Sequence, residues 1–73
     1  MAKEINAGYE IIKCSRTADG DIVLGYNPNA PDPYVTWKYR NDYRYYHGHY
    51  FANEDRAVRD FKKRVREEKT YAR

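Results

Sequence analysis

A chain of 73 residues predicts one domain, 1–73, with one modest core, because folding at this length buries only about 60% of the unfolded chain's surface. One cysteine, Cys14, excludes an intrachain disulfide and fits a reducing, cytoplasmic setting; no apolar run approaches the roughly 20 residues of a membrane span, and the mixed, polar residues 1–8 do not resemble a secretory signal. The net charge of +3 is unevenly placed: residues 1–33 set Lys3, Lys13 and Arg16 against five acids, while residues 34–73 set eleven Lys/Arg against six, so the second half would meet a polyanion first.

Residues 1–8 show no pattern and read as a loose N-terminal arm ending at Gly8. Tyr9–Ser15 and Asp21–Tyr26 are rich in β-formers, and the Asp19-Gly20 pair between them supplies the positive-φ residues of a tight hairpin. All three prolines fall in Asn27–Pro33, where each removes a backbone donor and biases its predecessor away from helix, so this stretch is a loop of semi-fixed shape. Tyr34–Arg40 and Tyr43–Phe51 form a second hairpin, joined by Asn41-Asp42 as a two-residue turn that would set Tyr39 opposite Arg44, Lys38 opposite Tyr45 and Thr36 opposite His47. Alternation then places Val35, Trp37, Tyr39, Tyr46 and Gly48 on the core face, with Arg44 near its end, and Tyr34, Thr36, Lys38, Arg40, Tyr43, Tyr45, His47 and His49 toward solvent. A bulge near Gly48 would swap that phase beyond it.

Asn53 is an N-cap, Glu54 and Asp55 suit the positive end of a helix dipole, and Ala57, Val58, Phe61 and Val65 recur at helical spacing, which predicts a helix from about 54 to 68 with a frayed tail over 69–73. The fold class is therefore α+β: a four-stranded antiparallel sheet of two hairpins with one C-terminal amphipathic helix packed on one face.

Catalytic and metal chemistry have no constellation to stand on. His47-x-His49 offers two ligands from one strand, without a third histidine or a CxxC or HExxH pattern, so no metal is expected. The four glycines are isolated, so no phosphate loop exists, and Cys14 has no predicted base; neither cofactor nor enzymatic activity is expected. What stands out is aromatic content: nine tyrosines and one tryptophan, seven of the ten within residues 34–50. On the solvent face of the second hairpin, Tyr34, Lys38, Arg40, Tyr43, Tyr45 and His47 interleave rings with cations, and Arg44 lies beside them. Rings on an open sheet can stack on bases while Lys and Arg reach phosphates. The helix residues Arg56, Arg59, Lys62, Lys63 and Arg66 are a second basic run, but Asp60, Glu67 and Glu68 accompany it, which reads as an ordinary solvated face.

From Gly48 onward, GHYFANEDRAVRDFKKRV resembles the last strand and helix of AP2-type and integrase arm-binding DNA domains, over about a quarter of the chain. In that family a three-stranded sheet enters the major groove, which the resemblance would assign here to Lys38, Arg40, Tyr43 and Arg44; the family's Arg-rich first strand is replaced by a stretch with Glu10, Asp19 and Asp21. The longer pattern NPNAPDPYVTW, GHYF and A-x-x-DF-x-x-RV is similar to small uncharacterised proteins of bacterial mobile elements and phages, a group in which some members bind and block a host defence protein. The resulting expectation is a non-enzymatic module that binds nucleic acid through Tyr34, Lys38, Arg40, Tyr43, Arg44, Tyr45 and His47. The alternative is a protein-binding accessory module, inhibitor or homodimer using the same face.

Overall fold

The computed structural model describes residues 4–17 and 20–71, with side chains through residue 68. Five strands, β1 (Ile5–Asn6), β2 (Tyr9–Thr17), β3 (Gly20–Tyr26), β4 (Tyr34–Tyr39) and β5 (Tyr45–Phe51), form one sheet in chain order, followed by helix α1 (Glu54–Tyr71). Every neighbouring pair of strands is antiparallel. The α+β class and the C-terminal helix are as expected, but the sheet has five strands rather than four. The extra strand comes from the supposed arm: Ala7 and Gly8 both take positive φ (52° and 85°), which turns Ile5–Asn6 back onto Tyr9–Glu10. A two-residue turn of this hand matches the twist of the strands it joins. Residues 1–3 lie outside the described residues.

The β2–β3 hairpin forms as predicted, with Gly20 opposite Thr17 and in the left-handed region at φ 113°. A Cβ at Gly20 would sit 2.4 Å from the Tyr39 carbonyl oxygen, so the position needs glycine for space as well as for backbone. Of the predicted Asp19-Gly20 turn, Gly20 opens β3, and residues 18–19 lie outside the described residues. Between β3 and β4 the proline loop closes on itself: the Asn27 N–H donates to Pro33 O at 2.8 Å, and the Asn27 side chain accepts from the Asn29 N–H at 2.9 Å. Tyr9 ties this loop to the sheet by donating to Asp32 O at 2.8 Å.

The β4–β5 register departs from expectation. Tyr39 pairs with Tyr45 and Lys38 with Tyr46, while Thr36 pairs with His49, so the turn is longer than two residues and a bulge lies opposite Trp37. The Tyr43 N–H donates to Arg40 O, and the Arg40 N–H to Arg44 O, each at 3.0 Å; Tyr43 takes the left-handed position at φ 65°. This is the three-residue hairpin loop, in which a type I turn is followed by one left-handed residue. A bulge does lie at His47–Gly48, with His47 left-handed at φ 55°, and it swaps the phase beyond it.

The larger correction concerns the faces. Helix α1 packs on the side that carries Ile22, Leu24, Tyr34, Thr36 and Lys38, with Ala57 and Phe61 buried against it and Phe51, Val58 and Val65 flanking. Val35 and Trp37, expected beneath the helix, lie on the opposite face with Tyr9 and Val23. Both faces of β3 and β4 are buried, so alternation carries no in–out signal there; burying a side chain such as Ile22 or Leu24 contributes about 1.5–3 kcal/mol on either side. The sheet's edges also approach each other, since the Tyr45 hydroxyl of β5 donates to the Glu4 carboxylate just before β1.

The helix starts as predicted. Asn53 Oδ1 accepts the Arg56 N–H at 2.9 Å, and Glu54 and Asp55 occupy the first turn. It runs to Tyr71 rather than ending near 68, and residues 72–73 lie outside the described residues. No helix among the described residues is long and apolar enough to cross a membrane.

Candidate functional site

The seven residues expected to form one binding face divide among four places. Tyr34 and Lys38 are under the helix: Tyr34 packs against the helix-side core and lies 4.9 Å from the Tyr26 ring, while Lys38 is only 9% exposed, with Nζ donating to Glu68 Oε1 at 2.7 Å. Tyr45 is on the opposite face, its ring 5.3 Å from Trp37 and 4.8 Å from Tyr39. Burial and the Glu4 carboxylate both push its hydroxyl pKa well above the tyrosine range. His47 lies in the bulge, where its carbonyl accepts from Arg64 Nη1 at 2.8 Å. The three that stay together are Arg40, Tyr43 and Arg44, all exposed in the β4–β5 turn.

The neighbour of this turn is the end of the β2–β3 hairpin, because β3 and β4 pair so that Asp21 meets Tyr39. Between them lies a cleft of about 520 Å³, lined by Arg16, Thr17, Gly20, Asp21, Tyr39, Arg40, Asn41 and Tyr43. Two guanidinium groups and two phenol rings thus border one opening. The Arg16 side chain is 91% exposed and its contact with Asp21 is long, 3.9 Å, so most of its charge remains available to a ligand. The Arg40 guanidinium lies 5.5 Å from the Tyr46 ring centre, which orients it. Asp42, the acid of the turn, is engaged within it: Oδ1 accepts the Arg44 N–H at 3.1 Å and Oδ2 accepts the Tyr46 hydroxyl. Those bonds, the Tyr46 hydroxyl foremost, hold the Asp42 carboxyl below its usual range. Tyr39 has its hydroxyl pKa raised by burial, with Glu4 and Tyr43 adding to the effect.

Chemically the cleft can take a flat ring beside a phenol and an anion beside Arg16 or Arg40. Of its lining hydroxyls, Thr17 Oγ1 donates to Gly20 O at 2.6 Å. Cys14 lies near the cleft, donating weakly to Asp21 Oδ2 at 3.6 Å, but burial and the Asp21 carboxylate push its thiol pKa up, which keeps it protonated at neutral pH. Among the described residues no three metal-binding side chains converge. His49, half of the expected pair, instead places Nδ1 3.0 Å from Asp60 Oδ2.

Sequence reasoning missed Arg16 and Tyr39 as site residues. The signal was present in the two hairpin ends, since adjacent antiparallel hairpins of similar length bring the first hairpin's turn beside the second's. Compared with known protein families, curated proteins and solved structures, the chain matches none.

Proposed function

We propose that this domain is a non-enzymatic nucleic-acid-binding module, and that its contact surface is the cleft and turn at the hairpin ends, formed by Arg16, Arg40, Tyr43 and Arg44. The observation that carries this reading is Tyr43. It is 81% exposed and held at φ 65°, a region that disfavours non-glycine residues by about 1–2 kcal/mol, and so little burial offsets that cost. A ring presented this way beside Arg40 and across from Arg16 has the composition of a base-stacking, phosphate-contacting site.

The test is binding of the purified domain to short single-stranded and duplex DNA and RNA at about 50 and 200 mM salt. The reading expects micromolar affinity that weakens at least about tenfold over that range, with further loss in Arg40→Gln, and in Tyr43→Ala without a change in unfolding midpoint. Absence of binding at low salt overturns it. A second reading, a protein-binding module, is favoured by the same exposed Tyr43 with arginines around it, since Tyr and Arg dominate interface hot spots. It expects a partner whose affinity responds weakly to salt and falls in the same Tyr43→Ala variant.

A further inference from the structure

Of the acids that accompany the basic run of α1, Asp60 and Glu68 do not share its surface, whereas Glu67 is exposed at its C-terminal end. Asp60 Oδ2 accepts from the Thr36 hydroxyl at 2.6 Å and contacts His49, and Glu68 pairs with Lys38; their side chains are 18% and 26% exposed. Arg64 also turns inward, with Nη1 donating to Thr36 O at 3.2 Å, Thr36 Oγ1 at 3.1 Å and His47 O at 2.8 Å. Asp60, Arg64 and Glu68, spaced by four, form a polar line against the sheet beside the apolar stripe of Ala57, Phe61 and Val65. What remains outward between positions 56 and 66 is cationic only: Arg56, Arg59, Lys62, Lys63 and Arg66, all exposed. Glu54, Asp55 and Glu67 mark its two ends. At about 100° per residue the five cations fall within an arc of about 120°, and they extend about 15 Å along the axis. Among the described residues none of them is held in an ion pair.

We infer that this outward face of α1 is a second contact surface, and that its occupant is the phosphate backbone of a nucleic-acid duplex. The inference rests on the nucleic-acid reading above but on different residues. A straight, rigid row of cations without rings or apolar groups suits a regular row of phosphates and carries no means of reading bases. An anionic membrane is disfavoured because binding in the interface needs an apolar face to insert, and here that face is covered by the sheet.

The experiment measures binding of the full chain to a short random-sequence DNA duplex across a salt series, with vesicles of anionic phospholipid as a parallel probe. Three proteins are compared: wild type, the helix variant Arg59→Gln/Lys63→Gln/Arg66→Gln, and the hairpin variant Arg40→Gln/Tyr43→Ala. The helix variant is expected to keep its unfolding midpoint and to flatten the slope of log affinity against log salt by about 2–3, since each duplex phosphate contact contributes about 0.9. Arg59→Lys/Arg66→Lys should retain the wild-type slope. If the helix variant keeps the full slope while the hairpin variant loses binding, the inference falls and the hairpin reading stands. If the helix variant flattens the slope and the hairpin variant binds like wild type, the inference stands and the hairpin site falls. Wild type that binds the vesicles but not the duplex overturns the inference, and the hairpin reading is then decided by the single-stranded and RNA probes of its own test.

Discussion

The helix side of β3–β4 is sealed by a second layer, and its seam is half polar. Ile22 and Leu24 meet Ala57 and Phe61, while Thr36 and Lys38 meet Asp60, Arg64 and Glu68. The other side has no helix, yet Val35 and Trp37 are as deeply buried there. They are covered by rings of the sheet itself: Trp37 has Tyr9, Tyr45 and Tyr50 at 5.7, 5.3 and 6.3 Å in edge-on contact. Two glycines make room for the indole and its neighbours. A Cβ on Gly48 would approach Trp37 Nε1 to 2.7 Å, and one on Gly25 would approach Val35 Cγ1 to 3.0 Å and Trp37 Cζ3 to 3.3 Å. A small domain thus gains a second core by spending tyrosines on it. Much of the chain's aromatic content is therefore structural, and a tyrosine count is a poor guide to a binding face.

The sharpest way to break this comparison is to remove the indole. Trp37→Ala should cost about 3–5 kcal/mol, enough to unfold a domain of this size, measured by urea denaturation followed by circular dichroism. If the variant stays folded with a loss below about 1 kcal/mol, the tyrosine side is not a core. Gly48→Ala should cost about 1–3 kcal/mol by forcing the indole off its position, with tryptophan fluorescence shifting in the folded state. On the helix side, Glu68→Gln removes the opposite charge from an ammonium whose side chain is 11% exposed, and should cost about 1–2 kcal/mol. The double change Lys38→Met/Glu68→Leu should recover most of that loss, because well-packed apolar groups replace a half-dry ion pair at little net cost.

Elements were legible where local chemistry decides them. The Asp19-Gly20 hairpin, the proline loop, the Asn53 cap and the Ala57/Phe61/Val65 stripe each follow from residues within a few positions of one another. The failures are non-local. Ala7-Gly8 is a weak turn signal that succeeds because the returning chain pairs with β2. The β4–β5 register differs from the expected one because Asn41-Asp42 looks like a complete turn, whereas Tyr43 enters the loop as its left-handed residue. The inversion of faces has the same root: Thr36 and Lys38 look outward by type, and only the inward line of Asp60, Arg64 and Glu68 explains their burial. Of the candidate site, the sequence pattern puts Arg40 and Tyr43 toward solvent but Arg44 near the end of the core face; all three are exposed because the loop, not a strand, carries them.

Tyr43 also sharpens the comparison, since it is an aromatic that neither core uses. Tyr43→Gly relieves the left-handed strain and should raise stability by about 1 kcal/mol, read as a higher urea midpoint, and the proposed nucleic-acid reading expects a lower affinity with it. A gain in stability with unchanged affinity would remove Tyr43 from the site. A loss of stability would show that the ring contributes to packing despite its exposure.

The smallest expected effect concerns the bond that draws the sheet's edges together. Tyr45→Phe keeps the ring against Trp37 and Tyr39 but removes the hydroxyl that donates to Glu4, which should cost about 0.5–1 kcal/mol at neutral pH. Its pH dependence is the more diagnostic part. Burial, then Glu4, raises the Tyr45 pKa in the folded state, so above the unfolded value of about 10 the folded protein retains a proton that the unfolded chain has released. The stabilisation is complete below that pH and is lost as pH rises beyond it. Tyr9, Tyr34, Tyr39 and Tyr46 are shifted the same way, so Tyr45→Phe should still lose stability above pH about 10, but more shallowly, by at most the slope of one proton. Urea midpoints measured from neutral to alkaline pH decide it: parallel curves for the two proteins would mean that Tyr45 and Glu4 do not meet in solution, and that the tyrosine core closes without the help of the N-terminal strand.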